Sequence, residues 1–209
     1  MIKKILQLII FLPLLILIQV NALPMIYKPN NLILAIIIFS ALLYALLRII
    51  KKHNLPLIQK KFDGKAILFT VTLTIICEAI SILFDYLAQS TSSSSSDSSM
   101  IISRLTSKST WILIVAMLTI NITGPILEEL TTRGIIFQYS SKIFHSQYVG
   151  AILSSLIFSF LHGQGIILSI SYFITSIILT IIFVKTKNIY SNILSHQLLN
   201  IMSTIMVFL

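Results

Sequence analysis

Apolar residues run through this chain in blocks longer than one face of an amphipathic helix requires. Stretches of about 18 or more mostly apolar residues, the length that crosses a bilayer as a helix, fall at Ile5–Ala22, Leu32–Ile50, Ala66–Ala88, Trp111–Leu127, Ile166–Val184 and Ile189–Leu209. The fourth can run on to Tyr139, and a shorter block lies at Val149–Leu161. Backbone polar groups in hydrocarbon must be satisfied within the segment, which selects helices for blocks of this length. The pattern predicts an all-α, polytopic membrane bundle of six to seven transmembrane helices. Polar runs separate the blocks. The serine run through Ser99 cannot bury a core and reads as a flexible loop, and Lys51–Lys65, with Pro56 and Gly64, reads as a basic connection.

Composition agrees with this picture: 56% of the 209 residues are hydrophobic, 10% are charged, and the mean hydropathy is +0.99. Charge adds an orientation. The net charge is +9, but with the N-terminus inside, twelve of the fifteen Lys and Arg residues fall in cytoplasmic positions and only Lys28, Arg104 and Lys108 outside. That positive-inside bias explains the basicity by orientation and anionic lipid headgroups, so no nucleic-acid partner is called for. The expected location is the cell membrane, multi-pass, with a cytoplasmic N-terminus. Cys77 is the single cysteine, so no disulfide within the chain is available.

Residues 1–110 read as an N-terminal transmembrane scaffold and 111–209 as the region that carries chemistry. Within the former, Met1–Ala22 has two readings. Lys3 and Lys4 before a short apolar core, with Val20-Asn21-Ala22 behind it, resemble a signal peptide, but a retained first helix is preferred. No internal repeat is evident.

Glu128-Glu129-Leu-Thr-Thr-Arg133 is the most informative run, because each lone charge at mid-membrane costs roughly 2.5–3.5 kcal/mol even on lenient scales. On a helix Glu129 and Arg133, four apart, share a face and can pair, whereas Glu128 is turned about 100° away. The bland reading is a solvated helix end; the apolar Ile135-Ile136-Phe137 that follows argues against it. His162 ends Phe158-Ser-Phe-Leu-His162, where an interfacial histidine is the bland alternative. His196 and Asn200, four apart, project from one face of the last helix, toward either a polar interior or a helix–helix hydrogen bond. Counted at 1.5 Å per residue from the cytoplasmic helix ends, Glu128, His162 and Asn200 all lie at roughly 20 Å depth and His196 at about 14 Å. Three helices thus bring polar residues to one level. Glu78 and Asp85, the serines of the fifth and sixth blocks, His53 and His145 are assigned to packing or solvation, and Gly124-Pro125 to a kink that widens a cavity.

Glu128-Glu129-x-x-x-Arg133, Phe158-x-x-x-His162 and His196-x-x-x-Asn200, in this order on successive apolar blocks, resemble the three motifs of the CPBP family, the CAAX-processing and bacteriocin-processing intramembrane proteases also called the Abi family. The resemblance covers about Asn121 to Met202. It departs at Thr132, where the family usually has an aromatic residue, which bears on local packing more than on chemistry. The resemblance implies an endopeptidase with a central polar cavity open to the cytoplasm, acting on a peptide or protein substrate in the membrane. By motif, Glu128 would activate water, His162 would hold or polarise it, His196 and Asn200 would stabilise the oxyanion, and Glu129 with Arg133 would brace the helix. This mechanism needs no cofactor. Zinc held by Glu and His is the alternative, although Asn is an unusual ligand and the H-E-x-x-H spacing is absent. Two rivals belong to other classes: a non-catalytic bacteriocin immunity or membrane binding protein using the same cavity, and a small proton-coupled transporter.

The charge bias yields a direct test. A cysteine placed at Ser95, in a variant lacking Cys77, is expected to react with an impermeant thiol reagent on intact cells. Labelling only after lysis would reverse the orientation.

Overall fold

The computed structural model describes residues 32–90, 105–162 and 165–208, and the first apolar block and the serine run lie outside these. The described chain forms six helical rods: α1 (Leu32–Lys52), α2 (Gly64–Ser90), a long composite α3 (Thr110–Phe144), α4 (Gln147–Leu161), α5 (Ile166–Thr186) and α6 (Ile189–Met206). The all-α membrane bundle is thus the observed fold. Three rods, within Gly64–Ala88, Thr110–Phe144 and Ile166–Thr186, are long and apolar enough to cross a membrane by length and composition. α4 is apolar but has 15 residues, which reach about 22 Å at 1.5 Å per residue and fall short of a hydrocarbon core about 30 Å thick. His162 is the C-cap of α4.

Short polar caps start the rods where the sequence changes character. Asp63 accepts from the Ala66 N–H at 2.9 Å ahead of α2, Ser146 caps α4, and Asn188 caps α6 by accepting from Tyr190 N–H at 3.0 Å. His145 and Lys187 take left-handed backbone conformations (φ 50° and 52°) that end α3 and α5 and turn the chain tightly into the next rod. One end of the bundle is stitched together. Leu57 and Gln59 exchange backbone hydrogen bonds with Ile189 and Lys187, the Asn188 amide donates to Lys60 C=O, and Lys142 Nζ donates to the carbonyls of His53 and Asn54. The 53–60 connection, the end of α3 and the α5–α6 turn therefore share one face of the molecule, as the alternation of apolar blocks predicts. His53 is half-buried there rather than simply solvated: its ring meets Tyr139 edge-on at 5.1 Å, and burial, with Lys52 and Lys142 nearby, holds its imidazole below the ordinary value.

The hydrophobic core lies at this same end, where Leu46 and Ile50 of α1 and Leu55 pack on Leu127, Leu130, Ile135, Ile136 and Phe137 of α3 and on Phe183 and Ile189. Deeper in the bundle the contacts become polar and small. Thr74 on α2 bonds Ser195 on α6 at 2.6 Å, Cys77 contacts Thr175 on α5 at 3.5 Å, and Ser159 of α4 donates to the Ser169 carbonyl of α5 at 2.6 Å. Such bonds and small residues hold membrane helices together, because lipid tails leave little hydrophobic drive between them.

α3 changes winding around Gly124-Pro125, running π-helical over Thr119–Thr123, α-helical over Gly124–Glu129, and π-helical again over Leu130–Phe137. Proline removes a donor and its ring crowds the carbonyl four residues back. The wider turn ahead of it, closed by Gly124 N–H on Thr119 C=O, absorbs that conflict without a break.

α3 and α4 are in close contact at Gly150, where an added Cβ would lie 2.8 Å from Phe137 O and collide with Ser141 Oγ. Gly150→Ala is expected to destabilise the bundle by about 1–3 kcal/mol, the usual cost of overpacking, read as a lower melting temperature in detergent. An unchanged melting temperature would mean the two rods part without cost.

Candidate active site

The α-helical turn between the two π segments carries the glutamates, and the second π segment carries Arg133. Glu129 and Arg133 are both fully buried and pair at 2.8 Å through Oε1 and Nη1. Both terminal nitrogens of the guanidinium have further partners, while Nε has none. Nη1 donates to Thr132 Oγ1 at 2.9 Å, Nη2 donates to the carbonyl and hydroxyl of Ser176 on α5 at 2.8 and 2.7 Å, and the group lies 5.3 Å from the Phe158 ring centroid. Thr132 makes local use of a position where the resembled family places an aromatic side chain: its hydroxyl donates to Glu128 C=O at 2.6 Å and accepts from Arg133.

His196 comes in from α6 between the two carboxylates. Its Nδ1 lies 2.9 Å from Glu129 Oε1 and its Nε2 lies 3.6 Å from Glu128 Oε2. Since a carboxylate accepts, Nδ1 carries hydrogen toward Glu129, and the second nitrogen faces Glu128. Glu128 differs from its neighbour in access: its side chain keeps 16% of its surface, against none for Glu129. The two adjacent glutamates thus occupy different environments, one locked into an ion pair and one facing an imidazole at a partly open position.

His162 reaches the same neighbourhood from the end of α4. Its Nδ1 lies 2.7 Å from Phe158 C=O, so that nitrogen donates and Nε2 is left with a lone pair. The His162 and His196 rings both pack against Phe158, at centroid distances of 4.4 and 5.9 Å. Asn200, one turn beyond His196 on α6, also bonds to α3. Its amide donates to Ile120 C=O at 2.7 Å in the first π segment, and Thr204, one turn on, meets Asn121 at 3.3 Å. π winding leaves carbonyls off the regular ladder, and Asn200 satisfies one of them.

A groove of about 580 Å³ runs between α3 and α6, lined mainly by Met117, Leu118, Ile122, Ile201 and Ile205, with Asn121, Gln197 and Thr204 as its polar members. The polar cluster is a separate set of side chains: Arg133 and His196 bond Glu129, and Ser176 and Phe158 contact Arg133. Among the described residues no three His, Cys, Asp or Glu side chains converge as metal ligands.

Three participants escape a motif-based reading. Ser176 anchors Arg133, although its sequence context matches that of packing serines. Asn192 is fully buried one turn before His196, donates to Leu179 C=O at 2.6 Å and lies against Glu129; the i, i+4, i+8 series Asn192, His196, Asn200 is the signal that would find it. Tyr172 stacks on His162. Glu78 is buried on α2 whereas Asp85, seven residues on, is exposed, so the two do not act as one buried pair.

Arg133→Ala would leave Glu129 buried without its cation. Breaking a buried pair in this way typically costs about 3–5 kcal/mol, and lower abundance and melting temperature in detergent are expected. Normal abundance with selectively lost function would assign Arg133 a direct role instead.

Two comparisons with known proteins return nothing: no curated protein and no solved structure matches the chain. The third does match. Residues 109–202, which contain every residue of the cluster on α3, α4 and α6, fit the family model described as type II CAAX prenyl endopeptidase Rce1-like, a protease family and the one that the three motifs resemble.

Proposed function

We propose that this protein is a multi-pass intramembrane endopeptidase that hydrolyses a peptide bond by glutamate-activated water. The observation that carries the reading is the contrast between the two adjacent carboxylates. Glu129 is consumed by Arg133 and His196, while Glu128 keeps access and stands 3.6 Å from His196 Nε2.

Hydrogen-bond roles then follow from the tautomers. His162 donates through Nδ1 to Phe158 C=O, so its Nε2 accepts one water hydrogen while Glu128 accepts the other. That leaves the water's lone pair for the scissile carbonyl carbon, with Glu128 taking the proton as the bond forms. His196 gives Nδ1–H to Glu129, so in the imidazolium form it also holds Nε2–H. This Nε2–H and an amide hydrogen of Asn200 are the donors for the oxyanion, and preorganised donors of this kind are worth most where water is scarce. Glu128 finally delivers its proton to the leaving amine, giving a carboxylate and an amine with no cofactor required.

The substrate in this reading is a protein or peptide delivered in the bilayer, such as a prenylated C-terminus or a bacteriocin leader, and the enzyme sits in the cell membrane with its N-terminus in the cytoplasm. The match to CAAX prenyl endopeptidases supports the first substrate class.

Glu128→Gln keeps shape and most hydrogen bonding but removes the proton acceptor. Turnover should fall by the 10²–10⁴-fold typical of general-base loss, with substrate binding retained and chelators without effect. A well-expressed Glu128→Gln variant with full processing, or with full protection against a bacteriocin, would overturn the enzymatic reading in favour of a sequestering protein. Activity lost to chelator and restored by zinc would overturn the metal-free mechanism.

A further inference from the structure

The imidazole of His162 belongs to a cluster of three rings contributed by two helices. Phe158 and His162 come from α4 and Tyr172 from α5, with centroid separations of 4.4 Å (Phe158–His162), 4.3 Å (His162–Tyr172) and 6.4 Å (Phe158–Tyr172). The Tyr172 ring lies within 21° of parallel to the imidazole, whereas Phe158 is tilted by 41°. His162 is thus met from two directions, by a stacked ring on one face and by Phe158, whose carbonyl also takes its Nδ1 hydrogen at 2.7 Å.

His162 needs such support because of where it stands. It is the C-cap of α4, the first residue beyond the regular helix, and helix ends fray. A group that must hold water within a few tenths of an ångström cannot depend on a fraying end, since a misplacement of about 1 Å costs on the order of 100-fold in rate. The Nδ1 bond to Phe158 sets the tautomer and one rotation but leaves the ring plane to its neighbours. α5 is tied to α4 at this level by the Ser159 Oγ bond to Ser169 C=O at 2.6 Å, which places Tyr172, three residues further along, over the imidazole.

We propose that Tyr172 is a positioning residue for His162, with its stacked ring fixing the imidazole plane so that Nε2 addresses the water at Glu128. This inference rests on the proteolytic reading above. It makes the aromatic face, not the size of the side chain, the property that matters, because offset-stacked rings have a preferred relative orientation that an aliphatic side chain lacks.

The test uses the full chain in detergent and an internally quenched peptide ending in a farnesylated Cys-aliphatic-aliphatic-X sequence. Tyr172→Phe keeps the stack and should retain turnover within about 3-fold. Tyr172→Leu keeps bulk without the aromatic face and should lose about 10- to 100-fold in kcat with KM little changed. Leu at wild-type kcat, or Phe as impaired as Leu, would overturn the proposal. A second measurement does not depend on turnover. Trp111 is the only tryptophan, so in a Trp111→Phe background Tyr172→Trp puts a single indole on the imidazole. Its emission should be quenched and should rise on His162→Leu; emission indifferent to His162 would overturn the stack itself. Wild type that leaves the peptide uncut, or Glu128→Gln that cuts it at full rate, would overturn the proteolytic reading and the catalytic role of Tyr172 with it, while the fluorescence still decides whether the rings are stacked.

Discussion

The arrangement of the C-terminal half depends on one interaction, the fully buried ion pair between Glu129 and Arg133. An isolated charge of either sign in an apolar interior would cost several kcal/mol, and a pair recovers more of that cost as more of its remaining donors and acceptors are satisfied. This constraint determines what packs around it. Ser176 turns both its carbonyl and its hydroxyl to Nη2, Thr132 gives its oxygen to Nη1, and Phe158 offers the guanidinium an aromatic face. His196 adds a second donor to Glu129 Oε1, while Glu129 Oε2 and Arg133 Nε are left without a hydrogen bond. Helices α4, α5 and α6 are thereby fixed relative to α3 by partners that the pair requires, and the same contacts place both histidines.

The winding of α3 serves the same end. A 35-residue rod of uniform α-helix with a proline inside would kink or lose hydrogen bonds. Two π-helical segments take up the mismatch and leave a short α-helical turn between them, which presents Glu128 and Glu129. The loosened carbonyls that π winding produces need partners, and Asn200 supplies one at Ile120. A polar residue that the motif assigns to chemistry thus also meets a structural demand of the backbone beside it. An amide has two hydrogens, so one on Ile120 leaves a second for another acceptor.

Much of this was legible in the sequence, for identifiable reasons. Helix positions followed from block length and hydropathy, because in hydrocarbon the backbone has almost no alternative; the read and observed limits of α1, α2, α4 and α5 differ by two residues or fewer at each end. The Glu129–Arg133 pair followed from four-residue spacing. What spacing could not give was winding. A period of 3.6 applied along α3 does not show the π-helical segments that flank Gly124–Glu129. Nor could it give contacts between helices whose residues look ordinary in sequence: Ser176 sits among other serines of the same composition, and Tyr172 is one aromatic residue in an apolar block. Their significance exists only once α4 and α5 are side by side.

The two adjacent glutamates show why sequence and structure carry different parts of the argument. In sequence they are equivalent neighbours about 100° apart on a helix. In the bundle, Arg133 and His196 converge on Glu129 Oε1, which commits that carboxylate as a fixed negative charge. A fixed anion at Nδ1 orients the imidazole and sends its other nitrogen toward Glu128, so the environment of the accessible carboxylate is set through the buried one. Exchanging the two would not preserve this order, since Oε1 of the buried carboxylate already accepts from both a guanidinium and an imidazole. The buried member supplies orientation and charge balance, and the exposed member is the one left able to accept a proton.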